Sequence, residues 1–571
     1  MADIGSLPSV GQKPWNLNPA IQAINAELEG RLSDGAINAR FGAFRVLPMP
    51  SGGDDTAALN AALAEYAGQR VCAPSGAEYT ITAPLVVYSN TYLDMHGATV
   101  TAASASHPMI RNNKAVTTVG TPTTGTNPNR DQRITLTGGK WICGAGTGNQ
   151  HRLFFHQVDG LQVTDLNVTS GAGKYAVMLA DVTRFSVTDI DLAVYSDGVH
   201  VTGPASDGQI ARIHGRTGDD FVALGCSDYL SYDYSRGTIQ RVVVETLRPA
   251  LDSASGNGLK LFTTDDALVT ATPGDMLDIT VRDLRGTVRS SGVVLLQGAG
   301  VGGRFDRITI DGIGVTTRGA YSQVFYNKLA TSTGGSCGTI VCRGVTPTAA
   351  QETIASNGFR AFGGLVETLI IDGMTIRQTS GSSPVRGIYI SNGASVTALI
   401  ATAIRGDVSL QASGLLDITD NSSVTDARLE DVLWSGGRVV QTAGTATLST
   451  LFLSGRYTGG ADTALYLNSA TTPNVTLDWR QHVGTAISLV HASSGVTLHG
   501  KLDVDHMNRG LYRGGSQVVS VRSLDVELSV ARVTKQAGAR AYNRDSSLSC
   551  GEGLVVCDGT NWKNLFTGAT Y

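Results

Sequence analysis

The chain has 571 residues, with 48 acidic and 44 basic residues, a formal net charge of −4 and 69 glycines. This charge balance, without a basic tail, excludes the electrostatic footprint expected of a nucleic-acid-binding protein. No apolar run approaches the roughly 18 residues of a membrane span, so we expect no membrane insertion.

The N-terminal part predicts two short helices. Residues 19–32 place apolar residues at helical spacing, and residues 54–68 do so again, with Asp54, Asp55 or Thr56 as candidate N-caps. The second helix has an apolar stripe formed by Ala57, Leu59, Leu63 and Tyr66. Strand signals begin directly after it, so we expect this helix to plug the open end of a stack of strands. The first residues, MADIGSLPSVGQ, lack the basic and apolar regions of a secretory signal.

Two sets of short alternating strands repeat along the middle of the chain. The first set includes YAVMLA at 175, DGVHVT at 197, DDFVAL at 219, NGLKLF at 257 and SGVVLLQ at 291. The second set falls between them, as in LQVTDLNV at 161 and FSVTDIDL at 185. In the regular parts each set recurs about every 21–25 residues, which favours a parallel β-helix over a sandwich with its turn every 8–12 residues. Each coil of such a helix stacks about 4.8 Å from the last.

We divide the chain into three parts. Residues 1–50 form an N-terminal attachment segment, residues 51–515 the β-helix body with its capping helix, and residues 516–571 a small C-terminal β cap. Seven cysteines are too few and odd in number for a disulfide framework. Cys337/Cys342 and Cys550/Cys557 could pair locally, but we favour their interpretation as small packed hydrophobes. Spacings typical of metal ligands are absent, so we expect neither a metal nor a cofactor.

Acidic residues precede two successive strands of the first set. When the strands are aligned on their buried residues, Asp197, Asp220 and Asn257 fall in one column, and His200 and Lys260 fall in the next outward column. Asp219 precedes Asp220 and should point to the same groove, so we expect the carboxylates about 5–9 Å apart on adjacent coils. Carboxylates this close oppose joint ionisation, which suits the acid and base of a glycosidase. The alternative is a pair of acidic surface turns, because Asp is common in turns.

Several residues near these acids could bind substrate. Lys260 could bind an acidic sugar or balance the carboxylates, and His200 and Asn257 lie within reach of the same groove. Tyr229 and Tyr232 follow in a loop, where exposed aromatic rings would suit stacking on sugars.

Two stretches of the chain carry a family resemblance. GDDTAALNAALAEYAGQRVCAPSGAEYTI resembles the opening of pectin-lyase-like β-helix proteins, and residues 138–224 resemble the central coils of polygalacturonase-type glycoside hydrolases. SDG at 196–198 is similar to the family's N-T-D, GDD at 218–220 matches its G/Q-D-D, and NGLKLF at 257–262 resembles its cationic strand. Phe262 stands where the family has Lys, and no G-H-G lies between Asp220 and Lys260.

This resemblance implies an all-β, right-handed, single-stranded parallel β-helix. It also implies that Asp219 is the general acid and that Asp197 with Asp220 holds the attacking water.

Both ends of the chain resemble bacteriophage tailspikes. GQKPWNLNPAIQAINAELEGRL is similar to the leading segments of tail-associated proteins, and RAYNRDSSLSCGEGLVVCDGTNWKNLF is similar to the short ends of tailspikes and fibres. The resemblance implies a homotrimer in the virion, attached through its N-terminus to a tail or baseplate protein and depolymerising a host surface polysaccharide. A non-catalytic receptor-binding spike and a polysaccharide lyase stay open as alternatives.

Overall fold

The structure is a computed structural model. It describes residues 44–116, 123–124, 127–144, 150–228, 234–250, 256–264, 274–297, 303–317, 322–329, 335–346, 348–349, 356–378, 385–408, 414–458, 463–468, 473–481, 488–492, 497–504, 512–513, 520–528, 540–543, 553–557 and 562–564. The helix expected at residues 19–32 therefore lies outside the described residues.

The elements are one helix and forty strands within the described residues. The helix is α1 (Thr56–Glu65). The first twenty strands are β1 (Phe44–Val46), β2 (Arg70–Cys72), β3 (Glu78–Ile81), β4 (Leu85–Val87), β5 (Tyr92–Asp94), β6 (Thr99–Ala102), β7 (Ile110–Asn112), β8 (Thr123–Thr124), β9 (Asp131–Thr137), β10 (Lys140–Cys143), β11 (Leu153–Ser170), β12 (Val177–Val194), β13 (Val199–Arg216), β14 (Val222–Gly225), β15 (Ser235–Arg236), β16 (Ile239–Pro249), β17 (Asn257–Thr264), β18 (Met276–Val288), β19 (Ser291–Gln297) and β20 (Phe305–Thr317). The others are β21 (Ser322–Lys328), β22 (Ser336–Val345), β23 (Thr348–Ala349), β24 (Ser356–Phe362), β25 (Leu365–Gln378), β26 (Val385–Ser391), β27 (Ser395–Val408), β28 (Gly414–Ile418), β29 (Ser423–Ser435), β30 (Arg438–Thr442), β31 (Thr447–Tyr457), β32 (Thr463–Leu467), β33 (Asn474–Gln481), β34 (Ser488–Ala492), β35 (Thr497–Val504), β36 (Tyr512–Arg513), β37 (Ser520–Leu528), β38 (Arg540–Asn543), β39 (Gly553–Cys557) and β40 (Trp562–Asn564).

The strands stack coil upon coil in parallel, which confirms the predicted right-handed parallel β-helix. Strand β11 pairs with β12, β12 with β13, and β13 with both β14 and β16. One long strand thus continues into two shorter strands of the next coil, with a loop inserted between them. The strands that precede and follow the loop continue as two stacks, β14–β17–β19–β21 and β16–β18–β20–β22.

The register places the apolar residues of successive coils over one another. Val199 pairs with Val222, Val222 with Leu259, and Leu259 with Val293, as the alignment of the strands on their buried residues predicts. Val177 pairs with Val199 in the same column. All five side chains are buried. Alternation along each strand puts every second side chain inside, so the stack forms one continuous interior column.

Helix α1 packs against the first described coil. Leu59 and Leu63 enter the core as predicted, whereas Ala57, predicted to face it, is exposed. At the N-terminus the Asp54 carboxylate accepts a hydrogen bond from the backbone N–H of Thr56, 3.1 Å away. The Asn60 side chain joins the helix to the coil, because its amide donates to the carbonyl of Pro84 and its Oδ1 accepts from the N–H of Val86.

Single residues in the left-handed region bend the chain at one corner of the coils. Arg184, Asp207, Arg241, Asp278 and Arg307 occupy this corner, with φ between 50° and 57°. Their side chains form a ladder of alternating charge, in which Arg241 Nε and Nη2 donate to Asp207 at 2.6 and 2.9 Å and Arg307 Nη2 donates to Asp278 at 2.8 Å.

The described cysteines support the packing interpretation. Cys72, Cys143, Cys226, Cys337 and Cys342 are all free, and the last four are buried. Burial raises the pKa of the Cys226 thiol to about 12, as expected of an inert structural residue. Cys550 lies outside the described residues.

The last two strands leave the parallel pattern. β38 pairs with β39, and β39 with β40, in antiparallel fashion, whereas β37, inside the expected cap of residues 516–571, still pairs in parallel with β35. In the described part of the chain, no helix has both the length and the apolar character needed to cross a bilayer.

Candidate active site

Two adjacent turns place the three acids side by side. Asp197 lies just before β13, and Asp219 and Asp220 lie just before β14, one coil further on. A backbone hydrogen bond from Gly198 N to the Asp220 carbonyl, 3.0 Å long, locks the turns in register. Gly218 permits this close stacking, because a Cβ there would lie 1.7 Å from the carbonyl oxygen of Tyr195.

The carboxylates form one cluster. One oxygen each of Asp197, Asp219 and Asp220 lies within 4.8 Å of the others, which is closer than the separation of about 5–9 Å expected from the spacing of adjacent coils. Asp197 is 5% and Asp220 4% exposed, whereas Asp219 is exposed. The site therefore has two buried acids beneath one carboxyl that a substrate can contact.

Asp220 is held in place and yet disfavoured as an anion. Its Oδ1 accepts hydrogen bonds from the side-chain and backbone nitrogens of Asn257 at 2.7 and 3.1 Å, and its Oδ2 lies 3.7 Å from Lys260 Nζ. Burial, reinforced by the nearby charge of Asp197, raises the pKa of Asp220 to about 7, although Lys260 opposes this shift. The cluster can thus retain a proton close to neutral pH.

His200 lies behind the carboxylates. The sequence places it in an outward column, but the structure buries it to 2% exposure, with Nδ1 2.9 Å from Asp197 Oδ2 and Nε2 3.4 Å from Asp228 Oδ2. The ring stacks on Tyr175 at a centroid distance of 3.8 Å, and the Tyr175 hydroxyl donates to Asp228 Oδ2 at 2.8 Å. His200 thus orients Asp197 rather than facing the groove.

Sequence reasoning missed Tyr175 and Asp228. The repeat could have indicated Tyr175. Val177 pairs with Val199, and Tyr175 precedes Val177 by two residues just as Asp197 precedes Val199. Asp228 had no such signal, because it lies in a loop outside the repeat.

Lys260 and Phe262 form the far wall of the cluster. Phe262, in the position where the resembled family carries Lys, is 1% exposed and packs edge-on against the His200 ring at 5.8 Å. Lys260 Nζ lies 4.9 Å above the Phe262 ring, so the ring face contributes to holding this cation in place.

Tyr229 and Tyr232 lie outside the described residues. Their neighbour Tyr234 is 3% exposed and packs on Phe154, with ring centroids 4.6 Å apart.

The three acids are also the one group in the described part of the chain whose spacing could hold a metal ion. Oxygen ligands alone would suit a hard cation.

Comparison with known proteins gives similarity of fold. No protein-family model and no curated protein matches the chain. Among solved structures it is similar to the Family 28 exopolygalacturonase of Yersinia enterocolitica, with 11% identity and a TM-score of 0.40 over 73% of this chain and 78% of that one. The tailspike protein of E. coli bacteriophage HK620, solved in complex with a pentasaccharide, gives 12% identity and a TM-score of 0.39 over 84% and 78%. Tailspike protein 3 of bacteriophage CBA120 gives 12% and 0.31 over 99% and 76%.

Proposed function

We propose that the protein binds and depolymerises a polysaccharide by glycoside hydrolysis at Asp197, Asp219 and Asp220. The observation that carries the proposal is the carboxylate cluster, with oxygens within 4.8 Å across two coils, one member exposed and another with its pKa raised to about 7. Hydrolysis of a glycosidic bond needs an acid for the leaving oxygen and a base for water, and paired carboxyl groups supply both.

The exposure and the contacts of the three acids indicate which catalytic role each one has. Asp219, the exposed member, donates a proton to the glycosidic oxygen as its bond to the anomeric carbon breaks. A water molecule forms the new bond to that carbon and gives its proton to Asp197, which His200 orients through the 2.9 Å contact. Asp220, neutral below a pH of about 7, holds this water by hydrogen bonding. One water is consumed for each bond cleaved, and the cycle closes when Asp197 releases the proton of that water to solvent and Asp219 takes up a proton from solvent.

We also propose where the protein acts and how it assembles. The tailspike-like segments at both termini support a virion protein that acts on a host surface polysaccharide, assembles as a homotrimer and attaches to the tail through residues 1–50. Light scattering of the purified protein tests the assembly, and a monomer at micromolar concentration would contradict it.

Substitution of the acids tests the chemistry. Asp219→Asn and Asp197→Asn should each lower the release of reducing ends from the target polysaccharide by about 10²–10⁴-fold, the usual contribution of general acid–base catalysis. Asp207→Asn, which removes an exposed carboxylate from the corner ladder, serves as the control and should cleave at the wild-type rate. Full activity in either active-site variant would refute the assignment.

The same assay separates the alternatives. Tight binding without new reducing ends would identify a receptor-binding spike, and products with ultraviolet absorption from a new double bond would identify a lyase.

A further inference from the structure

The sheet that carries the carboxylates continues into a cationic region. Strands β21, β24, β26, β28, β30 and β32 follow β19 in the same stack. In these six strands the charged residues are four cations and one carboxylate, namely Lys328, Arg360, Arg386, Arg438 and Asp417. This excess is local, since the whole chain has a net charge of −4.

Guanidinium groups and aromatic rings alternate on this surface. Tyr389 has two guanidinium carbons over its ring, that of Arg386 at 4.5 Å and that of Arg360 at 5.1 Å. Arg438 lies 4.0 Å from the ring centroid of Tyr466. We call these five residues the distal strip. All five side chains are half-buried, so each presents part of its surface to solvent.

Further contacts fix the positions of these side chains. Arg386 Nε donates to the buried Asp417 at 2.5 Å, Arg438 Nη1 donates to Gln441 at 2.6 Å, and Arg360 Nε donates to Ser391 at 3.3 Å. Held side chains lose little further conformational entropy when a ligand binds, so the strip is preorganised.

The distal strip is aligned with the candidate active site. Lys260 pairs in register with Val294, Val294 with Tyr326, Tyr326 with Arg360, and Arg360 with Tyr389. Three coil steps of about 4.8 Å each separate Lys260 from Arg360, which makes about 14 Å along the helix axis. One extended polymer lying along this face could therefore contact both regions.

We propose that the distal strip binds an anionic polysaccharide, so that the substrate of the candidate active site carries carboxylate or phosphate groups. This inference rests on the proposed function and adds the chemical class of its substrate. The guanidinium groups pair with the anionic groups of the polymer, and the rings of Tyr389 and Tyr466 hold those guanidinium groups in position through cation–π contacts. A second copy docked through the same strip would bring its three guanidinium groups against the same three, which like-charge repulsion opposes.

Binding measured without turnover tests the proposal. The Asp219→Asn variant is applied to an array of purified bacterial surface polysaccharides, half of them neutral and half bearing carboxylate or phosphate groups. We expect binding to anionic members only, weakening as salt is raised through screening. Adding Arg360→Gln and Arg438→Gln, which leaves the buried Asp417 paired with Arg386, should weaken binding about tenfold or more, because charge-assisted hydrogen bonds are lost.

A control variant carries the same change in net charge as Arg360→Gln/Arg438→Gln. Arg212→Gln with Arg307→Gln removes two exposed guanidinium groups elsewhere on the surface and should leave the affinity unchanged. Tyr389→Leu should weaken binding, whereas Tyr389→Phe should preserve it.

The outcomes separate this inference from the proposed function. A neutral polysaccharide as the strongest ligand, or an unchanged affinity in Arg360→Gln/Arg438→Gln, overturns the strip and leaves hydrolysis intact. A shift of the double variant to a smaller assembly at wild-type affinity assigns the strip to subunit contact and also overturns it. Binding to no member of the array contradicts both proposals.

Discussion

Replacing Asp220 by Asn should stabilise the protein at alkaline pH. Burial and the neighbouring Asp197 raise the pKa of Asp220 from 3.8 to about 7 in the folded chain. The folded state therefore binds this proton more tightly than the unfolded state, so stability is fully present below about pH 4 and is lost as the pH rises through 7. A shift of roughly 3 units at 1.36 kcal/mol each gives a loss of up to about 4 kcal/mol at pH 8.

The substituted side chain would carry no such cost, because an amide is neutral at every pH and its oxygen can still accept from Asn257. Unfolding of both proteins by guanidinium chloride at pH 4.5 and pH 8 gives the difference in unfolding free energy between variant and wild type at each pH. Comparing these two differences cancels the contribution of the other titrating groups. We expect Asp220→Asn to match the wild type at pH 4.5 and to exceed its unfolding free energy at pH 8.

Asp278→Asn is the control with no expected pH dependence in this range. The hydrogen bond from Arg307 lowers the pKa of Asp278 below 3.8, so its stabilising effect is lost only below about pH 4 and should be the same at pH 4.5 and pH 8. If Asp220→Asn and the wild type keep the same difference in stability at both pH values, the assignment of a buried carboxyl with a raised pKa is refuted.

Two glycine substitutions probe the site by steric means, with Gly144→Ala as a common control because nothing lies within 4 Å of the added Cβ. Gly256→Ala places its Cβ 2.8 Å from Asp219 Oδ1. It should lower kcat by displacing this carboxyl group, while changing the unfolding free energy by less than about 1 kcal/mol. An unchanged kcat would contradict a catalytic role for Asp219. In Gly218→Ala the added Cβ would lie 1.7 Å from the Tyr195 carbonyl oxygen, a backbone atom that cannot move freely. Thermal unfolding should therefore show that the unfolding free energy falls by about 1–3 kcal/mol. A stability equal to that of the control would contradict the tight stacking of the turns.

The repeat made the fold and the position of the acids predictable. Alternation of period two fixes which residues of DGVHVT and DDFVAL face inward, and the common spacing then fixes the register that joins Val199 to Val222. The column that contains Asp197 and Asp220 follows from this register alone.

The surroundings of the acids were less predictable because residues outside the repeat contribute to them. Strand alternation places His200 outward, but Asp228 and Tyr234, which follow β14 outside the repeat, pack on this face. His200 is consequently buried beside Asp228. No periodic pattern specifies where such residues pack, so their contacts could be found only in three dimensions.

The most direct test of the central claim is the fate of water in the products. The wild-type protein is incubated with its target polysaccharide in heavy-oxygen water, and the released oligosaccharides are analysed by mass spectrometry. Hydrolysis by the carboxylate cluster predicts one heavy oxygen at each new reducing end, and it predicts that the Asp219→Asn variant releases no oligosaccharides. Unlabelled fragments carrying a new double bond, or equal release by Asp219→Asn, would contradict hydrolysis at this cluster.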